Sequence, residues 1–129
     1  MGSVTRVRAG STEEKAAMSE MIARLSAMLA QGQDNMLLRF TLGKTYAEQE
    51  QYAEAVTHLR AALGFDATYS VAWKWLGRAL LAQGDAAGAR EAWEQGARCA
   101  SERGDKQVEK EIGVFLRRLD KAASETPGS

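Results

Sequence analysis

His58 and Cys99 are the single histidine and the single cysteine of this 129-residue chain. They are its obvious candidates for reactive chemistry. A thiol partnered by an imidazole is a nucleophile–base pair. The same two groups are also metal ligands, but one of each falls short of a tetrahedral site unless carboxylates complete it. No base stands in evident partnership with Cys99, and a free cysteine is commonly a small buried apolar residue. His58 precedes Leu59, a packing position, and reads as a solvated or partly covered surface histidine. No glycine loop of the phosphate-cradling kind is present. The carboxylates fall on helical exteriors, where a charge run is a solvated face. The residues therefore give no catalytic set, no metal site and no cofactor, and the expectation is a chain that is not an enzyme. What remains is binding chemistry. Lys74 and Arg78 are four residues apart and share one helical face. Trp75 stands about 200° around the helix from Trp73. It either packs against an adjoining helix or lines a binding surface.

The elements that hold these residues are organised by an internal repeat. Leu42-Gly43 and Leu76-Gly77 lie 34 residues apart. The same offset carries Ala55 onto Ala89, Ala53 onto Ala87, Gln49 onto Gln83, Lys44 onto Arg78 and Leu59 onto Trp93 without a gap. Gly43 and Gly77 lack a side chain where one helix must approach its neighbour, and Ala55 and Ala89 do the same on the second helix. Leu59 and Trp93 then fill the space between the pair. Leu42, Gly43, Leu59, Trp73, Leu76, Gly77 and Trp93 are expected to be buried.

Thirty-four residues is also the period of the tetratricopeptide repeat. Residues 36 to 103 resemble that family. The second copy carries its W-x-x-L-G string as Trp73, Leu76 and Gly77. The first copy departs from it with Arg39 at the aromatic position. It has Tyr46 where the second has Leu80, and the usual proline at the repeat end is replaced by Ala67 and Ser101. The resemblance implies an all-α fold, a helix-turn-helix repeat superhelix of about six helices. It also implies a concave groove lined by the first helix of each repeat. By register that groove would present Leu37, Phe40, Thr41, Lys44 and Glu48 from the first repeat, and Val71, Lys74, Trp75, Arg78 and Ala82 from the second. Three cations beside apolar Phe40 suit an acidic or C-terminal carboxylate ligand with an apolar anchor. Lys74 and Arg78 resemble part of the carboxylate clamp of chaperone-binding members, whose asparagines are not found. The bland alternative is that both are ordinary solvated charges.

The flanks complete the layout. Ser11 or Thr12 caps a helix over 12–31, with glutamates in its first turn. Its apolar face comprises Met18, Met21, Ile22, Leu25, Met28 and Leu29, and it could be the second half of a lost repeat. Repeat one occupies 36–69 and repeat two 70–103. A helix over 105–122, with Val108, Ile112, Phe115, Leu116 and Leu119 on one side, reads as a terminal cap. No Leu-Gly pair occurs there at the expected offset. Together these make a single domain over 12–122, with disorder expected at 1–11 and 123–129.

Composition closes off other classes. Lys+Arg and Asp+Glu are equal at 17 each, whereas a nucleic-acid binder shows a basic excess. The 45% hydrophobic and 26% charged content is ordinary for a soluble domain. No run approaches the roughly 18 apolar residues of a membrane span, and the N-terminal stretch lacks a secretory apolar core. The expectation is a cytoplasmic adaptor or scaffold that binds a peptide or helical segment of a partner protein, with no nucleic acid and no membrane. The alternative is a self-associating structural protein, a homo-oligomer assembled through the Met18–Leu29 helix, since methionine suits adaptable interfaces.

Overall fold

The computed structural model of the chain describes residues 12–125. Among them are six helices and no strand: α1 (Thr12–Ala30), α2 (Met36–Glu48), α3 (Tyr52–Phe65), α4 (Ser70–Ala82), α5 (Ala86–Arg103) and α6 (Lys106–Glu125). Each packs chiefly on its neighbours in sequence. α2 also touches α4, and α4 touches α6. The result is two tight helix pairs, α2–α3 and α4–α5, with a helix at either end. Ser11 and the rest of 1–11, together with 126–129, lie outside the described residues. At the other end, residues 123–125 continue α6 rather than starting a tail.

Local chemistry sets the helix limits. The Asn35 side chain accepts from the Leu38 amide at 2.9 Å and opens α2. The Asp85 side chain does the same for the Gly88 amide at 2.8 Å and opens α5. Neither α3 nor α4 has a side-chain cap. The turn between the helices of each pair needs a left-handed residue. Gly84 supplies it with φ +88°, and Glu50, one period earlier, adopts φ +62°.

The seam inside each pair is built on the glycine of the first helix. A methyl group at Gly43 would lie 2.6 Å from Cγ of Leu59, and one at Gly77 would run into the indole ring of Trp93. These two fillers are sealed from solvent, with Leu42, Ala55, Leu76 and Ala89 around them. Trp93 also donates from Nε1 to the Lys74 carbonyl at 3.1 Å. Trp73 is less buried than expected. Its ring edge turns toward Ala67, whose carbonyl accepts from Nε1 at 2.8 Å, and the residue stays half-buried.

α6 sits against α5 and α4 as α4 sits against α3 and α2. Leu42-Gly43, Leu76-Gly77 and Ile112-Gly113 are each the seventh and eighth residues of their helices. The longer α5 displaces the third pair by two residues from the 34-residue offset, which hides it from a strict repeat search. Ile112 is buried like Leu42 and Leu76. Gly113 has no filler above it and meets only the end of Arg117. α6 thus takes the seat of a third repeat's first helix, and no second helix covers its outer side among the described residues. α1 is held more loosely, and none of its residues is buried despite its apolar stripe.

Candidate partner-binding face

Stacking α2, α4 and α6 side by side makes one continuous wall of first helices. Helical position assigns its residues. Leu37, Thr41, Lys44 and Glu48 stand on α2, Val71, Trp75, Arg78 and Ala82 on α4, and Gln107, Glu111, Val114 and Arg118 on α6. Leu37 is 62% exposed, a large apolar side chain with nothing over it. Trp75 is half-buried. One part packs against the core, and its ring lies under two cations, with Arg78 at 4.4 Å and Lys44 at 5.5 Å from the centroid. The packing reading of Trp75 therefore holds for part of the residue, and the rest of it is open. Such cation–aromatic contacts contribute about 0.5–1 kcal/mol at exposed sites. Their larger effect is to hold the charges in place above an apolar floor.

Two of the expected groove residues are placed elsewhere. Phe40 is only 8% exposed and meets Tyr69 edge-on at a centroid distance of 5.1 Å. The side chain of Lys74 is 16% exposed, and its Nζ lies 2.7 Å from Oε1 of Glu111 on α6. One geometric reason covers both. Each is the fifth residue of its helix, on the flank turned toward the next first helix. Phe40 meets the start of α4 there, and Lys74 meets α6. Neither is open to a ligand in this structure. Glu111 is correspondingly held below the usual carboxylate range, first by the hydrogen bond from Lys74, then by that from Gln107.

The remaining cations differ in availability. Lys44 pairs with Glu48 at 3.3 Å on the same helix. Arg78 has no carboxylate within ion-pairing distance among the described residues and rests on the rings of Trp75 and Phe115. The sequence reading missed α6 as the third helix of the wall, with Glu111 and Arg118 on it. Ile112-Gly113 was the available signal, displaced by two residues.

Two cavities of similar size adjoin the stack. One, about 470 Å³, opens where α4 ends and α6 runs on, with Trp93 and Phe115 among its walls. The other, about 460 Å³, lies between α3 and α5 beside Trp73.

The reactive candidates are accounted for by packing. The Cys99 thiol is half-buried and points to the Ala67 carbonyl at 3.5 Å. His58 stacks on Tyr46 with centroids 5.5 Å apart, and its Nδ1 lies 3.2 Å from the Arg39 guanidinium. Arg39 in turn forks onto Asp34 at 2.8 and 2.9 Å. Among the described residues no cluster of three or more His, Cys, Asp or Glu side chains could hold a metal ion. No helix among them is long and apolar enough to cross a membrane.

Comparison with known proteins agrees with the geometry. The profile of the tetratricopeptide repeat matches residues 46–102. The TPR repeat-containing protein PA0015 of Pseudomonas aeruginosa is 54% identical over 102 residues, covering 79% of this chain and 97% of that protein. The chain belongs to the tetratricopeptide repeat family. The solution structure of protein BPP2914 from Bordetella parapertussis is 69% identical and superposes with a TM-score of 0.71, over 78% of this chain and 88% of that one. The crystal structure of MamA, at 14% identity and a TM-score of 0.60 over 84% of this chain and 72% of its own, shares the fold. Repeats of this family generally mediate protein–protein interaction and are typically non-enzymatic scaffolds.

Proposed function

We propose that this chain is an interaction module whose α2–α4–α6 wall receives a segment of a partner protein. The observation that supports this most is Trp75, an aromatic half-open on the wall with Arg78 and Lys44 over its ring. Interfaces concentrate their energy in such aromatic and arginine positions. Exposed Leu37 extends the apolar surface toward α2. Arg78, a wall cation with no carboxylate within ion-pairing distance among the described residues, gives the site a preference for acidic segments. Lys74 holds α6 in place instead of meeting the ligand. The reading is that of an adaptor working in the cytoplasm.

The test is capture of a native partner by the tagged chain, compared across variants. Leu37→Asp combined with Arg78→Glu should weaken capture at least tenfold and leave the thermal melt nearly unchanged, since exposed charges contribute about 0–1 kcal/mol to folding. Arg60→Glu with Glu91→Lys, beside the α3–α5 cavity, should leave capture intact. The opposite pattern would move the site to the second helices.

The loose packing of α1 favours a second reading, self-association through its methionine-rich stripe. No residue of α1 is buried, and Met21 is 38% exposed. Light scattering over a hundredfold range of concentration checks it. A constant monomer mass removes it.

A further inference from the structure

The cavity at the end of α4 has a composition unlike the rest of the wall. It is lined by Leu81, Ala82, Trp93, Phe115, Leu119 and Ala122, with Arg78 and Arg118 as its polar members and no carboxylate. Leu81 is 41% exposed at its lip. A second, shallower hollow shares Leu81, Leu119 and Ala122 with it and runs on past Ala86 and Ala87. The two form one trough along α6 from Phe115 to Ala123, about 12 Å or two helical turns. It exists because α6 is 20 residues long and α4 only 13, so the last turns of α6 have no first helix beside them.

We propose that this trough is the anchor site for an acidic amphipathic helix of a partner protein. One large apolar side chain enters the cavity over Trp93 and Phe115, and carboxylates on the neighbouring turns meet Arg78 and Arg118. The proposal rests on the interaction reading above and names the partner's chemistry and the place of its anchor. Three features choose the occupant. The alanines on both sides let a helix backbone approach closely, as helix packing requires. The two-turn length matches anchors at i, i+4 and i+7. Arg78 and Arg118, with no acidic residue in the cavity's lining, select negative charge, while Arg90 of the adjoining hollow is already paired with Asp120 at 2.7 Å.

The two stretches of sequence outside the described residues do not match this chemistry. Residues 1–11 carry Arg6 and Arg8 and no carboxylate, so they would be repelled. Residues 126–129 have neither a charged nor a large apolar side chain.

The probes are labelled 18-residue helical peptides with glutamates flanking apolar residues at i, i+4 and i+7, made with Leu, Met, Phe or Trp as the central anchor. A lysine-for-glutamate version and a serine-for-anchor version serve as controls. Anisotropy should show saturable binding of at least one acidic probe and at least tenfold weaker binding of both controls. Arg118→Glu and Ala82→Trp, one reversing the lip charge and one filling the cavity from an exposed position, should each weaken the acidic probe tenfold or more. Amide shift mapping should place the changes at residues 78–82 and 115–122. Failure of every acidic probe to bind overturns the proposal, as does equal binding of the lysine version or shifts confined to the α3–α5 cavity. A peptide of Thr12–Ala30 is the arm for a second copy. Tight binding of that peptide in the trough, with a mass that rises with concentration, would overturn the separate-partner assignment. If native capture is lost in Leu37→Asp/Lys44→Glu but survives both Arg118→Glu and Ala82→Trp, the interaction module stands and this anchor site falls.

Discussion

The two helix pairs share a backbone plan but solve its seams with different chemistry. In the first, the flexible Leu59 covers the helix glycine. Arg39, forked onto Asp34, reaches His58 on the second helix. In the second, the rigid indole of Trp93 covers the glycine, and Trp73 stands where Arg39 does. The period specifies where a side chain must be missing. What fills the gap is free to vary, and the filler decides how much the seam can yield.

The largest expected difference lies at those glycines. Overpacking a core costs about 1–3 kcal/mol, while alanine returns about 1 kcal/mol of helix propensity over glycine. Gly77→Ala should therefore destabilise by about 2 kcal/mol, because the indole cannot step aside without losing its bond to the Lys74 carbonyl. Gly43→Ala should cost less than Gly77→Ala, because Leu59 can move its Cγ by turning about χ1, and its backbone amide, 3.1 Å from the added methyl, need give only slightly. Gly77→Leu should be worse than either. Urea denaturation of the variants gives the ranking. Equal losses at Gly43 and Gly77 would show that the filler's rigidity does not matter.

The intra-pair turns and caps differ by about 1 kcal/mol at each position. Glu50 and Gly84 occupy the same left-handed turn, one with a Cβ and one without. A side chain there costs about 1–2 kcal/mol per residue. Glu50→Gly should raise stability by about 1 kcal/mol, and Gly84→Glu should lower it by a similar amount. Asp85→Ala should cost about 1 kcal/mol through loss of the bond to the Gly88 amide. Gln51→Ala, at the matching position without a cap bond, should change the melting temperature little.

These contrasts also mark what the sequence made legible. The glycines, Leu59 and Trp93 were readable because their spacing is a packing constraint that repeats. The caps Asn35 and Asp85, which open α2 and α5, are local signals that the repeat spacing does not carry. The lateral placement of Phe40 and Lys74 was not readable, since it depends on which neighbour each flank meets. Lys74 needed Glu111, 37 residues away on a helix taken only as a cap. The trough beside Arg118 was hidden for the same reason, because a two-residue slip concealed Ile112-Gly113 as the third member of the series. Trp73 matched the family string, yet the string says nothing about the Ala67 carbonyl that draws its ring edge outward.

The smallest expected effect separates the pairs by pH. The imidazole of His58 is held below its ordinary value of 6.5, first by burial and then by the charge of Arg39, with Asp34 and Glu54 opposing. In the unfolded chain the same ring titrates near 6.5. Between that value and the folded one, the unfolded chain binds a proton that the folded chain refuses. Unfolding free energy must then fall as pH drops below about 6.5, and level off once the folded ring is itself protonated. Asp34 adds a second loss in the same direction, but only below about 3.8, where the unfolded carboxyl takes up a proton while the bond from Arg39 still keeps the folded one ionised. The two windows are therefore distinct. The second pair has Ala92 at the position of His58 and contributes nothing to the first window. Melts of wild type and His58→Gln at about pH 7.5, 6.5 and 5.5, at fixed ionic strength, isolate the term. The wild type should lose more stability than the variant over this range. Arg39→Gln should lose an intermediate amount, because it removes the charge but leaves the burial. Parallel curves for wild type and His58→Gln would mean that the folded ring takes up its proton as readily as the unfolded one. The Arg39–His58 contact would then be no more sensitive to acid than the indole seam of the second pair.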